Sequence, residues 1–336
     1  MIKIFKNELN DDVVRKIDSI EDNCWINLVK PTPDEIKMVV DELGIDEDLI
    51  TKVLDEEELP RIEKTDNATL IVVDCPYWID TSVKNNYITY PLGIIICNDL
   101  HVITVSLKNF EILKDFEKGL VKTFYTYKKT RFLIQILLKT ASSYLKVLNI
   151  VNKDIEVKEK ILYHSTNNKH LVEMLNIEKT LVYFITSLKG NDLVLEKLSK
   201  GNVISMYDED MEILEDTIIE NKQGIEMCSI YKEILSTITD TYATIVSNNL
   251  NVAMKFLAGI TIVLSVPTMI SSFLGMNVRL GDFANSGYAF SFICFMSLFV
   301  AIFVAFLLNA IQNIKSDKEA SAKIKNAWEK GKKLFP

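Results

Sequence analysis

Two kinds of hydrophobic spacing divide the chain. In the first hundred or so residues, short β-branched and aromatic runs alternate with amphipathic ones. Ile2–Phe5, Trp25–Val29, Thr69–Asp74, Ile88–Cys97 and Val102–Ser106 read as strands. Thr32 ahead of Pro33-Asp34-Glu35 marks a capped helix start with an acidic first turn. Asn98-Asp99-Leu100-His101 reads as a hairpin turn, and the acidic run Asp55–Glu58 as part of a helix with its carboxylates in solvent. The pattern predicts an α/β domain over residues 1–125.

From about Thr130 the apolar spacing changes to three and four, predicting helices over roughly 131–164 and 168–199 with a break at the polar run 165–169. A third helix begins near Val203. In it Tyr207, Met211, Leu214, Ile218, Ile225, Cys228, Tyr231, Leu235, Ile238, Tyr242 and Ile245 recur with one gap at Asn221, a face that predicts packing against other helices. The prolines agree, standing at 31, 33, 60, 76, 91, 267 and 336 and leaving 92–266 free of the strongest helix breaker.

Near the C-terminus the apolar runs become continuous. Phe256–Met276 and Tyr288–Leu308 each run 21 residues without a charge, matching the roughly 20 that cross a bilayer as a helix. Only Asn277–Gly287 lie between them, so the two spans form a hairpin. No stop signal separates the first span from the stripe before it, which predicts one helix from about 203 to 274, on the order of 100 Å long.

One stripe of that helix departs from what lipid asks for. Asp240, Thr244, Ser247, Asn251, Met254, Ala258, Thr261, Ser265, Thr268 and Ser272 follow at steps of three or four, polar or small almost throughout. Two readings fit: close packing between membrane helices, or the lining of a wet path enclosed by several copies about an axis. Pro267 removes the helical donor of the Val263 carbonyl, leaving a kink or a carbonyl facing water. Asn251 and Asn277 stand at the two ends of the span, and Gly275 permits a backbone turn at the helix end. A ring of neutral amides at 277 would accept hydrogen bonds from the water shell that magnesium holds tightly, without demanding its removal, and would release the ion as conduction requires.

Charge and cysteines narrow the classes. The net charge is −8, yet the tail after Leu308 carries seven lysines against Asp317, Glu319 and Glu329. The acidic excess therefore belongs to residues 1–254, a balance that does not favour nucleic acid and reads as plain solubility or as attraction for cations. The lysine asymmetry puts the tail, and with it the N-terminal part, on the cytoplasmic side, with the basic tail against the anionic leaflet. MIKIFKNELNDD has no apolar centre of a secretory signal. Cysteines 24, 75, 97, 228 and 294 and histidines 101, 164 and 170 show neither close metal-ligand spacing nor a disulfide framework, and Cys294 reads as a small packing residue in the second span. No nucleophile elbow, phosphate loop or His-containing metal motif points to an enzyme.

Gly275-Met276-Asn277 after the first of two closely spaced C-terminal spans resembles the signature of the CorA family of divalent-cation transporters. SNNLNVAMKFLAGIT (247–261), PTMISSFLGMN (267–277), WINLVKPTPDEI (25–36), GIDEDLITKVLDEEELPRIEK (44–64) and YPLGIIICNDLHVITV (90–105) are similar to the family along nearly the whole chain.

The resemblance implies an α+β membrane protein. A cytoplasmic α/β domain (1–125) is followed by a helical stalk (126–254), a transmembrane hairpin (255–310) and a basic cytoplasmic tail (311–336). It implies a homopentamer in the plasma membrane that passes Mg²⁺, and also Co²⁺ or Ni²⁺, passively under the membrane potential. Family pore positions fall on Asn277 as outer selectivity ring with Gly275 and Met276, on Thr268, on Leu257 and Met254 as an apolar gate, and on Asn251 as inner mouth. Ser265, with Thr261 on the same stripe, stands where many members carry an apolar pore residue, which shortens the constriction. A regulatory Mg²⁺ between cytoplasmic domains maps one ligand onto Asp216 in EDTIIE (215–220). The segment VRLGDFANSG after the signature lacks the acid-rich tip of many members, offering Asp282 against Arg279.

Two other readings stand beside this one. A branch of the same family carries Zn²⁺, against which an intact Met276 and the lack of Cys and His on the stripe argue. In the other, a non-transporting membrane-anchored sensor or interaction protein would use the hairpin as an anchor only.

Overall fold

A computed structural model describes residues 1–8, 13–79, 86–97, 100–164, 168–201, 203–276, 287–288 and 290–310, with backbone alone at 86, 163, 164 and 168. The chain divides into two compact units, Met1–Tyr242 and Ala243–Pro336.

The first unit is built on a seven-stranded sheet. Its strands are β1 (Ile2–Lys6), β2 (Arg15–Ile17), β3 (Trp25–Val29), β4 (Arg61–Lys64), β5 (Ala68–Ile79), β6 (Asn86–Cys97) and β7 (His101–Ser106), in the order β2-β1-β3-β7-β6-β5-β4. β3 and β7 pair in parallel and every other neighbouring pair is antiparallel. Successive side chains alternate between faces, and both faces are covered. Ile71, Val73 and Cys75 of β5 join one core with Trp25, Phe116, Phe132 and Leu195, whereas Leu70 and Val72 join the other with Val39, Ile50 and Val53. A strand buried on both sides reads as a continuous apolar run, which is why these segments stand out in the sequence.

The helix α1 (Pro33–Leu43) forms as its local signals dictate. The Thr32 hydroxyl accepts the Glu35 N–H, the Glu35 carboxylate accepts the Thr32 N–H at 2.9 Å, and Gly44 ends the helix at φ 63°. A short helix α2 (Asp48–Thr51) continues as a 3₁₀ turn to Leu54, after which the chain is irregular. Asp55–Glu58 is therefore not helical. The Asp55 carboxylate accepts the Glu57 N–H at 3.0 Å and Glu58 pairs with Arg61, so two of the four acids organise a turn.

A helical layer covers the other face: α3 (Glu111–Glu117), α4 (Lys129–His164), α5 (Asn168–Ser199) and α6 (Asp208–Leu274). Tyr144, Leu148 and Ile155 of α4, Ile177, Leu181 and Phe184 of α5, and Cys228, Leu235 and Ile238 of α6 form one core. The gap in the α6 stripe is filled, since buried Asn221 donates to the Leu188 carbonyl of α5 at 3.0 Å. α6 begins at Asp208 rather than near 203, and Val203–Tyr207 lead into it without helical structure.

The sequence pattern misses β2 and β4 and shortens β5 and β6. The break at 165–167 and the turn residues 98 and 99 lie outside the described residues, although Cys97 and His101 pair across that turn. Cys24, Cys75, Cys97 and Cys228 are buried free thiols, and burial, opposed by a Thr140 bond, pushes Cys75 up to about 12. Cys294 is exposed on the single chain.

The second unit contains the rest of α6 and α7 (Phe290–Ala310). Both helices are long and apolar enough to cross a membrane, and the most apolar window of α6 has no residue buried within the chain. Phe256, Leu264 and Phe273 are each more than 60% exposed, with values of 67%, 65% and 63%. An apolar surface of that extent is stable only beneath a cover of lipid or of other chains.

Candidate functional site

The stripe identified in the sequence lies on the solvent side of α6. At 100° per residue, Asn251, Met254, Ala258, Thr261, Ser265, Thr268 and Ser272 fall within a sector of about 100°, and Leu257 stands at its edge about 20° beyond Thr268. All eight are exposed on the single chain, Met254 at 60% and Leu257 at 63%. Phe256, Ile260, Leu264 and Phe273 cover other directions and are also exposed.

The hydroxyls of the stripe are turned onto their own helix. Thr261 donates to the Leu257 carbonyl at 2.9 Å, Ser265 to the Ile262 carbonyl at 2.8 Å and Thr268 to the Leu264 carbonyl at 3.1 Å. Such back-bonding lets a hydroxyl sit inside an apolar helix without an unsatisfied donor. α6 continues through Pro267 to Leu274.

The helix α6 ends at Leu274, and Gly275 follows it as a turn residue. Gly275 does not take up the left-handed backbone available to glycine: its N–H stays bonded to the Ser271 carbonyl at 3.0 Å, and the Met276 N–H reaches Phe273 at 3.4 Å. What the glycine supplies is room, since a Cβ there would stand 3.3 Å from the Ser271 oxygen. Asn277 and the tip to residue 286 lie outside the described residues, as does the tail 311–336.

Asp216 is exposed on the part of α6 that belongs to the first unit. One chain does not build a metal site around it: among the described residues no three His, Cys, Asp or Glu side chains converge to hold an ion. The structure brings the seven stripe residues and Leu257 onto one helix surface of the second unit, while Asp216 belongs to the first.

The model of the family described as CorA-like Mg²⁺ transporter protein matches residues 21–310, from the strand that carries Trp25 to the end of α7. The chain belongs to the CorA family. Members are divalent-cation transporters embedded in a membrane, not enzymes. The Cobalt/magnesium transport protein CorA of Methanocaldococcus jannaschii is 28% identical over 292 residues, covering 84% of this chain and 88% of that protein. The complete structure of the CorA magnesium transporter from the same organism superposes with a TM-score of 0.80 at 24% identity, over 91% of this chain and 96% of that one. The cytoplasmic domain of ZntB from Vibrio parahaemolyticus shares the fold at 10% identity with a TM-score of 0.57, over 73% of this chain and 98% of that one.

The start of α6 in this CorA chain is fixed by a contact that sequence reasoning did not find. Arg131 of α4 donates through Nε to Asp210 at 2.8 Å and through Nη2 to Glu209 at 2.6 Å. The two carboxylates hold the Arg131 guanidinium above its usual range, and Arg131 holds Glu209 below the usual carboxylate range. Asp210 is buried, so breaking the pair would leave an uncompensated charge. Acids in a first helical turn are a legible signal. Their partner, 79 residues earlier, is not.

Proposed function

We propose that this chain forms a passive channel for hydrated Mg²⁺, also admitting Co²⁺ and Ni²⁺, with several copies set about an axis and the α6 stripes facing inward. The observation that carries the reading is the bare, polar-or-small stripe on an otherwise apolar membrane helix, running into Gly-Met-Asn within a family match that spans the chain. A single hairpin cannot enclose a path, so the assembly is oligomeric; the family resemblance supports five copies.

On this reading Asn277 forms the outer ring with Gly275 and Met276, and Thr268, Ser265 and Thr261 line the middle. Met254 and Leu257 make an apolar gate, and Asn251 lies at the inner mouth. The division into a domain (1–125), stalk (126–254), hairpin (255–310) and tail (311–336) belongs to the same proposal. So does placement in the plasma membrane with both termini inside, which rests on the lysines of the tail. Inward flow draws on the membrane potential, worth about 2.3 kcal/mol per charge per 100 mV and about twice that for a divalent ion.

Control by internal Mg²⁺ is a further part of the proposal, with Asp216 as one ligand. Among the described residues of one chain no metal cluster forms, so this reading draws the remaining ligands from another copy. Asp216→Ala is expected to reduce the sensitivity of flux to internal Mg²⁺. A Zn²⁺ preference is disfavoured by the oxygen-only chemistry of the polar stripe residues.

The deciding experiment is flux into liposomes with Mg²⁺, Co²⁺, Ni²⁺ and Zn²⁺ for wild type and Asn277→Ala. Wild type is expected to pass Mg²⁺, and the variant to lose most of that flux. Equal flux in the two would refute the selectivity role, and no divalent flux at all would leave the hairpin as an anchor.

A further inference from the structure

A cleft of about 1330 Å³ opens in the first unit where three segments meet. One wall is the turn from β4 into β5 (64–69), another the entry to α4 (127–131), and the third the irregular lead-in to α6 (203–207) with the first residues of that helix. The Thr130 hydroxyl joins the last two, donating to the Ser205 carbonyl at 3.2 Å.

The acidic excess of the chain lies in residues 1–254, yet the walls of this cleft carry Lys64, Lys128, Lys129 and Arg131. Arg131 is neutralised by Glu209 and Asp210. Lys64 and Lys128 are exposed and enter no ion pair among the described residues. The Lys128 ammonium lies instead 5.4 Å from the centre of the Tyr125 ring. Two uncompensated ammoniums, brought to one cleft by different segments, suit an anion, and phosphate is an anion that lysine binds as a point charge.

Size and the remaining lining narrow the class. A single phosphate would fill little of such a space. Tyr207 lines it as well, 81% exposed and without a ring neighbour among the described residues. A bare aromatic face beside lysines offers stacking to a base and charge to its phosphates. Asp66 and Asp208 are also on the walls, exposed and outside any ion pair among the described residues. Carboxylates repel a bare polyphosphate, but they suit one that carries Mg²⁺, an ion that keeps several waters and takes one or two carboxylates besides its phosphates. Among the described residues no three metal-binding side chains converge, so the ion would arrive on the phosphates.

We propose that this cleft binds a magnesium-loaded nucleoside polyphosphate, with Lys64 and Lys128 on the phosphates, Asp66 and Asp208 toward the hydrated ion and Tyr207 against the base. Such a ligand would join the β4–β5 turn to the lead-in of α6. The site belongs to the first unit, goes beyond the proposed ion path and does not depend on it.

Calorimetric titration of ATP into the full-length protein in detergent, at a fixed Mg²⁺ concentration, tests this directly. Saturable binding is expected, weakened about tenfold or more when Lys64→Ala and Lys128→Ala are combined, and weakened also by added salt. Tyr207→Ala should weaken ATP several-fold and leave inorganic tripolyphosphate unchanged. Withdrawing Mg²⁺ should weaken ATP in wild type, and weaken it less in the Asp66→Asn, Asp208→Asn double variant. Amide exchange over 203–207 should slow when ATP is bound. No saturable binding at millimolar ATP overturns the proposal, as does binding indifferent to the paired lysine change. Tripolyphosphate binding as tightly as ATP, with Tyr207→Ala without effect, overturns the nucleotide assignment. All five of these side chains are exposed; should the paired lysine variant nevertheless not fold, wild-type binding indifferent to salt overturns the proposal instead.

Discussion

Gly93 is the point at which β6 passes against the turn that follows α2. A Cβ built there would lie 2.6 and 2.9 Å from the two methyls of Val53, a buried β-branched side chain with little freedom to turn away. Gly93→Ala is expected to destabilise the first unit by about 1–3 kcal/mol through overpacking. Val53→Ala in the same chain should recover part of that loss, and denaturant titration of the pair against each single variant measures the coupling. Glu173 ties stability to pH. Its bond to Lys158, 2.8 Å away, holds its carboxyl below the usual range, with His170 adding a smaller effect. The stability this brings is present above the ordinary carboxylate pKa and is lost as pH falls through the lowered one. Glu173→Gln should flatten that part of the acid limb of a thermal-unfolding profile, and an unaltered limb would show the pair to be without consequence.

At the scale of elements, what could be read in advance follows from how each is buried. β3, β5, β6 and β7 lie inside the sheet with cores on both faces, so their apolar runs are unmistakable. β2 spans three residues at one edge, and β4, Arg61–Lys64, at the other edge is mostly charged, so neither produces a periodic signal. The long helices were legible because no proline interrupts 92–266 and the core-facing positions of α6 recur with one exception. That exception, Asn221, looked like a flaw in the stripe until its bond to α5 was seen. The same helix carries the candidate path, whose residue types were legible but whose far end, Asn277, lies outside the described residues. If Met254 and Leu257 close the path by excluding water, Met254→Ser and Leu257→Ser should each raise flux several-fold at high internal Mg²⁺ in liposomes. Flux unchanged from wild type would place the closure elsewhere.

For the whole molecule, the bare apolar windows of α6 and α7 mean that one chain in water is an incomplete object. Passive conduction through an assembly makes a thermodynamic prediction independent of any residue. Imposing an inside-negative potential of about 100 mV on liposomes should favour accumulation of a divalent cation by about 4.6 kcal/mol, roughly three orders of magnitude at equilibrium. Accumulation indifferent to the potential would point to coupled transport. A family match over residues 21–310 together with a TM-score of 0.80 was foreshadowed by segments scattered from Trp25 to Asn277, since the fold and the proposed ion path draw on different parts of one chain.

The inward turn of three hydroxyls has a consequence for the sign of the traffic. Thr261, Ser265 and Thr268 have each given their hydrogen to a carbonyl of α6, so what they offer outward is lone pairs. Water ordered around a cation arrives hydrogen first, and water ordered around an anion arrives oxygen first. If the stripe lines the proposed path, a corridor finished in this way would greet the former and have nothing for the latter, and so would tell positive from negative with no formal charge along its middle.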